Sequence, residues 1–306
     1  MSGPVRAEDA DHTENPLVVE VREGRVANVG NLGVVRVLPT KGRRTVGAWC
    51  FVDMMLPGDE IEPDPMEIGP HPHIGLATVT WLLRGEAVHS DSLGTEQLIR
   101  AGELNLMTSG HGVAHAELGV QPGVLGLQMW IALPEETRHG ESAFEHHAEL
   151  PVVDLGIGEA RVVLGSLAGT ASPARTDTRL VGADLSLDEG AVTIEADTGF
   201  EYGLIPVEGT VKINDAIVEP GYLGLIPAGG ETLRLETDAA GTRAMLIGGV
   251  PFERIQMWWN FVARTREELT QAWRDWDNAD TERYPEFSSS LDRIEAPRPV
   301  WVAEND

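Results

Sequence analysis

Gly102-Glu103-Leu104-Asn105-Leu106-Met107-Thr108-Ser109-Gly110 has a counterpart later in the chain, Gly221-Tyr222-Leu223-Gly224-Leu225-Ile226-Pro227-Ala228-Gly229. Each is a run of strand length closed at both ends by glycine, and the glycines are eight apart in both. Upstream of each, a strand-like run ends in glycine, at Gly85 and at Gly209, a hairpin-like interval before the repeat. The spacing predicts two copies of one β-architecture.

The flanking sequence has the same texture. From Val18 to about Leu133, short runs rich in Val, Ile, Leu and Thr are punctuated by Gly and Pro, as in Thr78-Val79-Thr80-Trp81-Leu82-Leu83, the pattern of a β-sandwich or barrel. Residues 134–147 are polar and poor in strand formers, and strand-like runs resume at Val152, Val162, Ala191, Tyr202 and Leu223. We therefore expect one β-domain over 16–147, a second over 148–277, and loosely attached ends at 1–15 and 278–306. One helix is expected late in the chain. Thr265 and Glu268 are spaced as a capping box, and Leu269, Ala272, Trp273 and Trp276 then share a face, so these tryptophans read as core packing.

At 306 residues the chain is long enough for two medium cores, and 42% hydrophobic with 24% charged residues is ordinary globular usage. A formal net charge of -26 repels phosphate backbones and anionic lipid heads, which argues against nucleic-acid or membrane partners. No window approaches the roughly 18 apolar residues of a membrane span, and the first residues lack a signal-peptide core, so a cytosolic protein is expected. Cys50 is the only cysteine. An internal disulfide and a Cys-based zinc or iron–sulfur centre are thus excluded, and any transition metal must be held by His and carboxylate. Neither a phosphate-cradling GxxxxGK[ST] loop nor a G-x-S-x-G nucleophile elbow occurs.

All nine histidines, at 12, 71, 73, 89, 111, 115, 139, 146 and 147, lie in the first 147 residues, so only the first domain has imidazole for a metal. His71-Pro72-His73 and His115-Ala116-Glu117 are both i, i+2 pairs, whose members point to one face of a strand. Two such strands facing each other across a barrel would bring together three imidazoles and one carboxylate, a set suited to Fe, Mn, Co, Ni or Cu, with open positions left for water, dioxygen or a chelating substrate. His89 reads as a satisfied polar residue on a strand or as support for a ligand from behind. His111 reads as surface loop, His146 and His147 as solvated linker, and Cys50 as buried and inert.

These residues resemble the pirin family, a branch of the cupin superfamily, over nearly the whole chain. His71-Pro72-His73-Ile74-Gly75-Leu76-Ala77-Thr78-Val79-Thr80 resembles its first metal strand, and His89-Ser90-Asp91-Ser92-Leu93-Gly94 the segment after it. Met107-Thr108-Ser109-Gly110-His111-Gly112-Val113-Ala114-His115-Ala116-Glu117 is similar to its second metal motif, and Gly126-Leu127-Gln128-Met129-Trp130 to the strand beyond. Met257-Trp258-Trp259-Asn260-Phe261-Val262 is similar to its C-terminal signature. The resemblance implies an all-β bicupin, two jelly-roll barrels packed together with a short C-terminal helix. It places one metal ion, expected to be iron with Mn, Co, Ni, Cu or Zn as alternatives, on His71, His73, His115 and Glu117. Two activities follow from it. One is opening of flavonols such as quercetin with O2, Glu117 serving as ligand and proton acceptor; the other is metal-responsive regulation of a protein partner. His111 stands where many relatives have Arg and Ala77 where some have Glu, positions expected at the pocket mouth.

Overall fold

The computed structural model describes residues 18–55 and 65–303; the expected loose end at 1–15 lies outside them. In the first barrel, a seven-stranded sheet runs in the spatial order Ala143–His147, Leu104–Thr108, Leu76–Arg84, Leu125–Ala132, Trp49–Met55, Leu32–Leu38, Arg25–Val29. Facing it is a four-stranded sheet, Glu67–His73, Val113–Gly119, Glu86–Asp91, Glu96–Arg100. The second barrel repeats the plan with a large sheet built around Glu201–Glu208, Thr242–Gly249 and Leu180–Leu187, and a small one of Gly190–Glu195, Thr232–Thr237, Val211–Ile213 and Ala216–Val218. The repeated segments are equivalent. Leu104–Thr108 pairs with Leu76–Arg84 just as Tyr222–Ile226 pairs with Glu201–Glu208. Gly85 and Gly209, which end the upstream strands, have φ of 85° and 75°, a left-handed turn that favours glycine.

The barrel interiors differ. In the second, Ile194, Val211, Ile213, Leu233 and Leu235 of the small sheet meet Leu185, Leu204 and Leu246 of the large one, filling the space with aliphatic side chains. In the first, strand parity sends Val79, Trp81, Leu104, Leu106, Leu127 and Met129 outward, where they pack on Leu164, Leu180, Ile205, Met245 and Ile247 of the second barrel. The opposite face keeps the polar residues that build the site inside. Trp81 Nε1 donates to Asp184 Oδ2 at 3.1 Å, and Trp49 Nε1 to Val181 O at 3.1 Å, so the largest rings at this junction also have their N–H groups satisfied.

Several elements sit elsewhere than the sequence suggests. Glu20–Glu23 pairs with Tyr222–Leu225 of the second barrel, while Arg25–Val29 pairs with Leu32–Leu38 of the first. Gly24 is the crossing point, its N–H bonded to Gly221 O at 2.8 Å. Ala143–His147 is a strand rather than linker, with His146 Nδ1 2.8 Å from Asn105 Oδ1 on the neighbouring strand. The helix Arg266–Asp277 has both hydrogen bonds of its capping box and buries Leu269, Ala272, Trp273 and Trp276. With the hairpin Gln256–Trp258 and Phe261–Ala263, however, it leaves the second barrel and packs on Ile74 and Ala114 of the first. Residues 278–303 follow it there. They are bound rather than loose: Tyr284 is buried, and Ile294 N donates to Pro70 O at 2.9 Å. No helix among the described residues is long and apolar enough to cross a membrane.

Candidate metal centre

His71 and His73 sit on Glu67–His73 and His115 and Glu117 on Val113–Gly119. These strands are paired neighbours, not strands opposed across the barrel, with His115 directly opposite His71. A bulge at Gly69-Pro70 sets the register, since His115 faces His71 while Glu117 faces Ile68. Proline has no N–H to leave unpaired there. The third strand of the sheet, Glu86–Asp91, places Asp91 opposite His115 and His89 opposite Glu117.

All four expected side chains come together and are buried, each at most 7% exposed. One potential ligand atom from each of His71, His73 and His115 lies within 4.8 Å of the others. Glu117 joins through His115, in a second group of the same span that contains His89. They line the end of a cavity of about 300 Å³. Phe51 and Trp130 stack at 3.9 Å to form one wall; Trp259, Asn260 and Ile294 from the C-terminal segment contribute another. Arg36 grips Asp53 with two bonds of 2.7 Å on the same lining. Burial pushes the Asp53 carboxyl up against the opposing pull of Arg36.

Burial also fixes the protonation of the imidazoles. It lowers His71 to about 4, and it holds His73 and His115 well below their ordinary value, with the neighbouring imidazoles adding to the effect. All three are neutral at pH 7. His71 Nδ1 lies 2.8 Å from Gly69 O and His73 Nδ1 3.1 Å from Asn260 O. A carbonyl oxygen only accepts, so both rings carry their proton on Nδ1 and present a lone pair at Nε2. His73 Nε2 points at His115 Nε2, 3.1 Å away. Converging neutral imidazole nitrogens beside a carboxylate form a donor set that fits a divalent transition-metal ion. Burial raises the Glu117 carboxyl, opposed by His89 and by the Thr80 hydroxyl, which donates to Glu117 Oε1 at 3.0 Å.

The other histidines separate clearly. His89 is 2% exposed, stacked on Phe144 at 4.6 Å, with Nε2 3.1 Å from Asp91 Oδ2 and Nδ1 3.3 Å from His115 Nδ1. Asp91 was not singled out in the sequence, although with His89 it has the same i, i+2 parity as the ligand pairs. Asn260, which orients His73, lies 187 residues from it; it falls within the stretch similar to the C-terminal signature, but nothing there tied it to the histidines. His111 is exposed, its Nδ1 3.2 Å from Gly140 O, and Ala77 lies in the junction between barrels. His111 is thus the surface loop expected from the sequence, and neither residue lines the cavity, so the departures from the family at 77 and 111 leave its lining unchanged. Cys50 is fully buried against Trp130 O, and burial raises its thiol to about 12, so it is inert.

Residues 31–131 match the family Pirin, and residues 182–282 match the Pirin C-terminal cupin domain. A Pseudomonas aeruginosa protein provisionally named a quercetin 2,3-dioxygenase is 42% identical, over 90% of this chain and 87% of its own. A pirin-like protein of Caulobacter vibrioides is 33% identical, over 84% of this chain and 92% of its own. Among solved structures, a quercetin 2,3-dioxygenase from Acinetobacter baumannii superposes with a TM-score of 0.89 at 37% identity, covering 93% of this chain and 97% of that one. A bacterial pirin from Escherichia coli in complex with nickel(II) shares the fold at 18% identity, with a TM-score of 0.61 over 77% of this chain and all of that one. Two cupin barrels, matched in order along the sequence and one of them carrying the histidine cluster, make this chain a member of the pirin family.

Proposed function

We propose that this chain is a metal-dependent dioxygenase that opens flavonol-type substrates with O2, holding one iron ion on His71, His73, His115 and Glu117. The observation that carries this reading is the position of three buried, neutral imidazoles and a buried carboxylate at the end of a cavity of about 300 Å³ with aromatic walls. The full-length likeness to a protein named quercetin 2,3-dioxygenase supports the substrate class. A redox-active ion there would supply a Lewis-acid anchor for adjacent substrate oxygens and share electrons between substrate and O2. Phe51, stacked on Trp130 and covered on its other face by Arg36, and Trp130 itself give the lining an aromatic character suited to a planar molecule. Glu117, its carboxyl raised by burial, is placed to take the proton of a substrate hydroxyl, with the Thr80 hydroxyl orienting the carboxylate from behind.

On the sequence grounds above we also place the boundary of the metal-binding domain near residue 148 and the protein in the cytosol. The deciding experiment is metal analysis of anaerobically purified wild type beside His71→Ala, followed by oxygen uptake with quercetin. We expect about one iron per chain with flavonol-dependent uptake, both lost in the variant. Iron without uptake overturns the enzymatic reading in favour of a metal-responsive regulator of a protein partner. Undiminished iron in His71→Ala overturns the ligand set.

A further inference from the structure

His115 differs from its two companions in what stands behind it. His71 and His73 each rest Nδ1 on a backbone carbonyl, which settles their tautomer. His115 Nδ1 rests instead on another imidazole nitrogen, Nδ1 of His89 at 3.3 Å, and either nitrogen of such a pair can be the donor. The choice decides the site. With its proton on Nδ1, His115 turns a lone pair toward His71 and His73. With its proton on Nε2, it donates to His73 Nε2 across the 3.1 Å gap and occupies the lone pair a metal would need.

The choice is made one residue further back. Asp91 Oδ1 accepts the N–H groups of Leu93 and Thr95, both at 2.9 Å, which leaves Oδ2 to face His89 Nε2 at 3.1 Å. Asp91 is 1% exposed and has no Arg or Lys partner among the described residues; its side-chain bonds there are to His89 and this turn. A carboxylate only accepts, so a neutral His89 carries its proton on Nε2 and accepts at Nδ1, and His115 then donates from Nδ1. Ring rotation cannot evade this sequence. His89 is clamped on Phe144, and Asp91 lies opposite His115 in the ladder, with Ala114 N bonded to Ser92 Oγ at 3.0 Å and Ser92 N to Ala114 O at 2.8 Å.

We propose that Asp91 and His89 are positioning residues that hold the proton of His115 on Nδ1 and so keep its Nε2 open to a metal ion. The proposal rests on His115 being a ligand, as in the function proposed above. It assigns a role to two residues outside the set His71, His73, His115 and Glu117, and it makes an isosteric change more damaging than removal of a ring. In Asp91→Asn the carbonyl oxygen stays with Leu93 and Thr95, so the new amide N–H points at His89 Nε2. His89 must then accept there and donate from Nδ1, which forces the His115 proton onto Nε2 and into the ligand set. His89→Phe only removes the support and leaves His115 free to choose.

The test is cobalt(II) binding to metal-free protein, followed by its visible bands in competition with a chelator, for wild type, Asp91→Asn, His89→Phe and His115→Ala. Tautomers are read from the imidazole 15N shifts of the metal-free forms. Loss of an outer partner costs about 10–100-fold in metal affinity, so we expect about 10-fold for His89→Phe, about 100-fold or more for Asp91→Asn, and a His115 proton on Nε2 in the latter. Wild-type affinity in Asp91→Asn, a larger loss in His89→Phe than in Asp91→Asn, or a His115 proton still on Nδ1 in Asp91→Asn overturns the proposal. Should unfolding temperature fall in Asp91→Asn, the 15N assignment alone decides. Undiminished affinity in His115→Ala would instead overturn the ligand set, while loss in His115→Ala without loss in Asp91→Asn overturns only the positioning role.

Discussion

His71 carries a cost that the metal-free protein must bear at low pH. Its imidazole falls from 6.5 in the unfolded chain to about 4 in the fold, because burial disfavours the charged ring. Below pH 6.5 the unfolded state binds a proton that the native state refuses until about pH 4, so stability is complete above 6.5 and is lost as pH falls. Between pH 6.5 and 5 the loss is about 2 kcal/mol for this one ring, with His73 and His115 acting in the same direction. Chemical denaturation of the metal-free protein at pH 7 and pH 5 should therefore show a drop that is about 2 kcal/mol smaller in His71→Asn than in wild type. Equal drops would mean that His71 is not held neutral by burial. That His71 and His73, and His115 and Glu117, share a face was legible because strand parity needs only two positions to show it. Asp91 was missed because an aspartate behind a histidine has no local mark that separates it from any solvated carboxylate.

The C-terminal segment shows where element-level reading runs out. Residues 278–303 have no strand or helix period, and the sequence left them loose. They are held by indole N–H groups instead: Trp276 donates to Ile294 O at 2.9 Å, Trp273 to Ala296 O at 3.3 Å, and Trp258 to Pro297 O at 2.8 Å. Helix periodicity did place Trp273 and Trp276 on a buried face. It could not say that their nitrogens grip a stretch without periodic pattern. The grip reaches the candidate metal centre, since Ile294 lines the cavity and a Cβ on Gly69 would lie 2.1 Å from Asp292 O. Gly69 is also the residue whose carbonyl fixes His71. Trp276→Phe keeps an aromatic ring but removes the pyrrole portion and the donor to the half-buried Ile294 carbonyl, a change worth about 1–3 kcal/mol. Limited proteolysis should then cleave within residues 284–301 several-fold faster than in wild type, with the barrels left intact. Unchanged cleavage would show that apolar packing, not the indole bonds, retains the segment.

At the scale of the molecule, the two barrels share a single apolar junction instead of meeting at a polar domain interface. The repeat and the histidine asymmetry made two barrels and one histidine-bearing half legible. Their mutual packing was expected from the family resemblance alone, because a strand buried on both faces looks the same in sequence whether its outer face meets solvent-excluding loops or a second barrel. Trp49, Val79, Trp81 and Leu127 from one side and Leu164, Ile205, Met245 and Ile247 from the other form one buried cluster. The chain also crosses the junction twice outside the covalent link between barrels, through Glu20–Glu23 in the second barrel's sheet and the helix Arg266–Asp277 on the first. Neither half can expose its share of this cluster without uncovering the other, so the barrels should melt together. Ile205→Ala removes apolar volume from a site of 0% exposure, at a cost of about 2–5 kcal/mol. Its effect should appear as one calorimetric transition shifted to lower temperature, with cobalt release from the first barrel following the same midpoint although Ile205 belongs to the second. Two resolved transitions, with cobalt retained through the first, would mean that the junction binds the barrels without coupling their folding.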